Sequence, residues 1–382
     1  AGFLKEIAEF SVNIFNAIIC EPDTQGKNFA ISTFPLHTML SLVSWGTRGQ
    51  CFNELAKVLR LEEIDRKVIG SHFQYLTTKL KNTSDSALKI AIKIILRDPY
   101  DIDKEFEEIA NEQFQAETDK LDFFYNDRAA DFINRWIGSM TDHKVHDIVD
   151  AANLSIETEL LAICATHFNS KWGEAVKKTK LKREEFWITE TINKHIDTIS
   201  FTGKFNHGLL DDLRAEAVEI PFEGSELSLV ILLPLHRCGI NLLENNLKLD
   251  HIRRLPNIFK EKALDVRLPK FKVESRISLQ NVLEKIGMSC IFSEYADFGY
   301  LMEMPEAVRM TQVIHKNIIE IDENTSNNLG EDENECNTNT SDQSQFFADH
   351  PFVFILRWMK FNLPIMMGMY RTPHDIPIFN HH

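Results

Sequence analysis

Fourteen histidines and six cysteines are the side chains most able to do chemistry in this chain, and neither set is spaced for it. Cys20, Cys51, Cys164, Cys238, Cys290 and Cys336 show no metal-ligand or redox spacing, and six cysteines in so long a chain do not imply a disulfide framework. Free thiols are the expectation. Glycine-rich phosphate loops, nucleophile elbows, paired-histidine zinc helices and calcium loops are all missing from the sequence, so an enzyme would need an unfamiliar constellation. A cysteine–histidine dyad is a poor candidate, because a buried cysteine is ordinarily a small hydrophobe and a scattered histidine a packed or surface residue. The chain is expected to be no enzyme and to use neither cofactor nor metal.

One stretch is chemically distinct. Residues 324–345 hold Glu331, Asp332, Glu333, Glu335 and Asp342 among many Asn, Ser and Thr residues, with no Lys or Arg. That composition buries too little apolar surface to fold by itself and reads as an exposed acidic loop. Its length exceeds the roughly 12–15 residues of ordinary connections, which marks loops with a function of their own. The apolar run 352–356 then returns the chain to a core. The acids specify no liganding geometry, so cation binding is not inferred from them. Asn82, Asn153, Asn324 and Asn339 each open an Asn-X-Ser/Thr triplet; these glycosylation candidates suit a secreted, extracellular protein.

The elements that must carry this loop are legible as periodicities. Helical spacing runs through 3–18, 36–59, 73–80, 106–114 and 129–140, which predicts a mostly helical first third. Strand signals follow at 160–168, 217–222, 227–233, 264–273 and 308–321, with one more helix at 279–286. Neither a Gly-, Pro- or Ser-rich linker nor an internal repeat divides the chain, so residues 1–382 are expected to form a single domain of class α+β. Hydrophobic residues make up 43%, enough for a substantial core. Asp and Glu number 57 against 42 Lys and Arg, a net charge of −15, whose field repels phosphate backbones and anionic lipid headgroups. Nucleic acid and membrane are therefore excluded as expected partners, and no apolar run approaches the roughly 18 residues of a spanning helix. Helical spacing already begins at Phe3, so no signal peptide is expected within these residues.

The run Phe346-Phe347-Ala348-Asp349-His350-Pro351-Phe352-Val353-Phe354-Ile355-Leu356 resembles the C-terminal signature of the serpin family. Further stretches resemble serpins in the same order: 28–59 with Ser32, Gly46 and Gly49; Ile133-Asn134-Arg135-Trp136; 168–172; Val218 to Phe222; Leu268-Pro269-Lys270-Phe271; and Ala296-Asp297-Phe298. The resemblance implies a fold of three β-sheets and about nine helices. A reactive-centre loop would stand exposed at 324–345, between the strand 308–323 and the C-terminal strands. Inhibitory serpins trap a protease when it cleaves this loop, whose first half then inserts as a new central strand of the main sheet. Insertion adds backbone hydrogen bonds and buries side chains on both faces, so inhibitory members use small residues in the inserting half.

This chain departs from that pattern. Its hinge reads Asn324, Thr325, Ser326, Asn327, Asn328, Leu329, Gly330, Glu331 and Asp332. If Ser326, Asn328, Gly330, Asp332 and Asn334 face the core, one carboxylate and two amides are desolvated; a shift by one residue buries Asn327, Glu331, Glu333 and Glu335 instead. Each unsatisfied amide costs about 1–3 kcal/mol and each carboxylate more, against a typical domain stability of about 5–15 kcal/mol. The resemblance therefore points to a non-inhibitory serpin, a monomer that binds a protein partner with a basic surface through its scaffold or acidic loop. The alternative is an inhibitor of an unusual, non-trypsin-like protease. By the family's loop length the scissile bond falls near Asn339-Thr340, where no basic residue meets a trypsin-like pocket.

Two further regions carry over by resemblance as the place where the sheet opens. Trp172, Lys270 and Glu323 match a cluster at the sheet's top, read either as an opening latch with Lys270 paired to Glu323, or as a salt bridge and packed indole that merely hold the end. His315 matches the family's central histidine, beside Ser32. The serine expected next to Phe34 is Pro35 and the usual asparagine partner is Cys164, which predicts an incomplete hydrogen-bond network around a histidine that is either a packed core residue or a pH switch.

Overall fold

The computed structural model describes residues 2–84, 87–303, 308–325, 343–373 and 378–379. Among them are nine α-helices: α1 (Gly2–Ile19), α2 (Thr33–Gly46), α3 (Gly49–Leu59), α4 (Arg66–Ser84), α5 (Lys104–Phe114), α6 (Asn126–Met140), α7 (Ile240–Asn246), α8 (Leu249–Ile258) and α9 (Gln280–Lys285). Strands β1 to β8 are Phe29–Ile31, Leu88–Arg97, Glu117–Leu121, Leu160–Asn169, Lys180–Trp187, Asn193–Leu210, Ala215–Pro221 and Leu227–Pro234. Strands β9 to β15 are Lys260–Pro269, Phe271–Ser278, Met310–Ile321, Ser344–Phe347, Phe352–Trp358, Leu363–Tyr370 and Ile378–Phe379. The class is α+β, as the sequence predicts.

The main sheet has the order β15-β10-β11-β4-β2-β3. The other strands run β1-β14-β13-β8-β7-β6-β9-β12, with β5 on β6. The second and third sheets implied by the resemblance are continuous here, because β6 is long enough to pair with β5 and β9 first and with β7 at its end.

Two predicted segments differ from the observed elements. The apolar run 36–59 is two helices, since Gly49 takes φ +58° and a side chain at Gly46 would meet Leu301 Cβ at 2.8 Å. The run 264–273 is two strands in different sheets, because the chain turns at Lys270 between β9 and β10. The first third is mostly helical, as the periodicity predicts, with strands β1, β2 and β3 set between its helices and β2 buried between β4 and β3. Free thiols are also corrected. Cys51 in α3 and Cys290, in the single helical turn that follows α9, form a disulfide with Cα atoms 5.1 Å apart. Cys20, Cys164 and Cys238 are free, and Cys336 lies outside the described residues.

Candidate functional site: the seam of the main sheet and the root of the loop

Strands β4 and β11 are parallel and hydrogen-bond directly to each other, from Met310 opposite Leu160 to Glu320 opposite Asn169. This is the seam through which an inserting loop would have to pass. A segment turning back from the end of β11 would run antiparallel to both neighbours, replacing one parallel ladder by two antiparallel ones. Alternation sets what such a segment would meet. On one face Ala162, Cys164, Phe168, Val313 and Ile319 pack into the main core. On the other, Leu161, Ile163, Ala165, Ile314 and Ile318 pack beneath Ile133, Trp136 and Ile137 of α6 in a second apolar cluster. Polar groups interrupt that second face in two places: Lys316, between Ile314 and Ile318, pairs with Glu274 at 2.9 Å and donates to the His146 carbonyl at 2.6 Å, and nearer the top His167 approaches Glu320 across the seam at 3.4 Å while Lys272 pairs with Glu320 at 3.3 Å.

The loop's root is held by several contacts at once. Trp172 is fully buried, stacks on Phe222 at 4.9 Å and donates from Nε1 to the Asp322 carbonyl at 2.8 Å. Its backbone N–H donates to the Asn324 carbonyl at 2.9 Å, and Trp172 forms a parallel bridge with Thr325, which is itself buried. Asn169 donates from Nδ2 to the Glu320 carbonyl and to Asp322 Oδ2, both at 3.1 Å. Thr179 donates to the Glu323 carbonyl at 2.6 Å. Lys270 pairs with Glu323 at 2.8 Å, with side chains 40% and 36% exposed. The hydrogen bond between them raises the Lys270 pKa and lowers that of Glu323, though solvent screening leaves such a pair worth only ~0–1 kcal/mol. Trp172, Lys270 and Glu323 thus meet, while the contacts of Thr179 and Asn169 had no sequence signal beyond polarity.

Midway down the sheet, His315 is completely buried opposite Cys164. Its Nε2 accepts from the Ser32 backbone N–H at 3.1 Å, so Nδ1 carries the proton. Nδ1 turns toward the Cys164 backbone without reaching hydrogen-bond geometry. Burial pushes the imidazole pKa down to about 3, so the ring is neutral near pH 7. The network is incomplete at the side chains, since His315 Nδ1 and Ser32 Oγ are buried without a hydrogen-bond partner among the described residues, while other residues satisfy the neighbouring backbone. Asn317 Oδ1 also accepts from Ser32 N–H, at 3.2 Å, and Asn317 Nδ2 donates to the Ala30 carbonyl at 3.1 Å. Ser275 Oγ accepts from the Ala30 N–H at 2.9 Å. The asparagine absent at position 164 is replaced two residues along β11 from His315, on the same face of the sheet.

Of the hinge candidates, Asn324 is exposed and Thr325 buried. Ser326, Asn327, Asn328, Leu329, Gly330, Glu331 and Asp332, together with the cleavage candidates Asn339 and Thr340, lie outside the described residues. Among the sequons, Asn82 is exposed on α4 and Asn153 is half-buried in a single helical turn, while Asn339 is not described. The described residues contain no group of three or more His, Cys, Asp or Glu side chains arranged to hold a metal ion.

The family model described as Serpin (serine protease inhibitor) matches residues 5–373. Serine protease inhibitor 42Dd of Drosophila melanogaster is 27% identical over 332 residues, 87% of this chain and 88% of that protein. Serpin B3 of Homo sapiens is 26% identical over 367 residues, 91% of this chain and 94% of its own length. Among solved structures, cleaved Serpin 42Da superposes with a TM-score of 0.85 at 27% identity, covering 98% of this chain and 99% of that one.

Proposed function

The chain belongs to the serpin family, and from that premise we propose that it is a non-inhibitory member, a binding or scaffold protein whose acidic loop does not complete insertion into the main sheet. The observation that carries this reading is the largely apolar lining of the seam, by the core on one face and by α6 on the other, whose buried polar side chains His315, Asn317 and Lys316 are already committed to other partners. Against that lining the hinge would bring Asn, Asp and Glu residues at both alternations. Each buried polar group without a partner costs about 1–3 kcal/mol, so several together offset the gain from two new hydrogen-bonded ladders. The acidic loop and the net charge of −15 favour a partner with a basic surface. The Cys51–Cys290 disulfide supports an oxidising, extracellular setting, with Asn82 as the exposed glycosylation candidate.

The experiment is incubation with proteases of different primary specificity, followed by denaturing gels. Cleavage within 326–342 without a covalent complex is expected. A protease-linked band formed at close to one inhibitor per enzyme would overturn the reading and install the second one, an inhibitor cleaved near Asn339-Thr340 by a protease that does not require a basic residue. What favours that second reading is the sheet itself, since β4 and β11 are directly paired and parallel, the arrangement one antiparallel strand would convert.

A further inference from the structure

A cavity of about 360 Å³ opens on the opposite side of β2 from the seam, between α2, α4, α5 and the first half of β2. Its apolar floor is Phe34, Leu80, Phe114 and Met140; Phe73 lies behind the first and third of these, with ring centroids 6.2 and 5.3 Å away. The hydroxyls in the wall are already committed. Thr38 donates to the Phe34 carbonyl at 2.9 Å and Ser84 to the Leu80 carbonyl at 2.6 Å, each within its own helix. No lining residue is among those with a buried, unpartnered polar side-chain atom in the described residues. The floor therefore asks for an apolar group, whereas Thr77, Asn111 and Gln115 make the rest of the wall polar, and the volume falls at the small end of the roughly 300–1,000 Å³ of ligand pockets.

The mouth differs from the floor. Lys89 at the rim is paired with Asp142 at 3.1 Å, and Glu117 is paired with Lys93 at 3.2 Å. Lys81, exposed on the last turn of α4, has no ion-pair partner among the described residues. In a chain with 57 acidic side chains, a cation without an ion-pair partner among the described residues, at the lip of an apolar floor, selects for one negative charge on the occupant.

From this geometry we propose that the cavity binds a small amphipathic monocarboxylate, its aliphatic body against Phe34, Leu80 and Phe114 and its carboxylate at Lys81. The site is independent of whether the loop inserts, so its failure and that of the non-inhibitory reading are separate results. The test is calorimetric titration of the intact protein with decanoate and with 1-decanol. Decanoate is expected to saturate one site and to bind more tightly than the alcohol. Lys81→Glu turns an exposed attraction into a repulsion, each worth up to ~1 kcal/mol, so decanoate affinity should fall several-fold, up to about thirtyfold, with decanol unchanged. Ser84→Trp, which fills the cavity, should abolish both; if that variant does not fold, the Lys81→Glu comparison still decides. No saturable decanoate binding, or the same affinity for decanoate in wild type and Lys81→Glu, would overturn the proposal.

Discussion

Trp172 and the Lys270–Glu323 pair hold the loop's root by different physics, and substitutions separate them. Trp172 fills a fully buried site and satisfies the Asp322 carbonyl. Trp172→Phe keeps an aromatic ring but loses that donor, so unfolding in urea should show a loss of about 1–3 kcal/mol. Glu323→Gln removes only a solvent-screened charge and should cost about 1 kcal/mol or less. Equal costs would contradict this division between a packed indole and an exposed pair. His315 gives a prediction in pH. Its folded pKa is pushed down to about 3 by burial, against about 6.5 in the unfolded chain. Its contribution to stability is thus complete above pH 6.5 and is lost progressively as pH falls toward 3, because the unfolded state binds the proton first. His315→Asn should flatten the decline of the melting temperature over that interval. His37, buried with its pKa near 4, and His167, whose pKa burial also lowers, contribute to the slope that remains. An unchanged pH profile in the variant would show that His315 does not control acid sensitivity.

At the scale of elements, the seam and the hinge are mismatched. Replacing Asn327, Asn328, Glu331, Asp332, Glu333, Asn334 and Glu335 by Ala and Thr leaves β4 and β11 untouched while removing the desolvation cost from both alternations. The substituted protein, nicked in the loop, should melt at a distinctly higher temperature than its intact form. No rise would place the obstacle in the sheet instead of the loop. Much of this arrangement is legible in the sequence, because β4 and β11 are apolar runs with β-branched alternation, and the acidic loop has no periodicity at all. Where reading failed, a local signal was outweighed by a distant one. The run 36–59 keeps helical spacing across Gly46 and Gly49, and only the approach of Leu301 shows why the chain must break there. Strands β9 and β10 read as one apolar run, although the alternation shifts from Leu264, Val266 and Leu268 to Phe271 and Val273 across Lys270, where the chain changes sheets. Asn317 carries no motif that ties it to Ser32, which lies 285 residues earlier. Cys51 and Cys290 are 239 residues apart, a separation at which spacing says nothing about pairing.

For the molecule as a whole, the main sheet is closed along β4 and β11. The stability of the intact protein then belongs to the closed sheet, with α6 and the main core sealing its two faces. Cutting the loop should leave that arrangement where it is. The most direct measurement is thermal unfolding, followed by circular dichroism, of intact protein and of protein nicked once within 326–342. Melting temperatures within a few degrees of each other are predicted. A rise of tens of degrees after nicking would mean that the polar hinge enters the apolar seam, and would contradict the account.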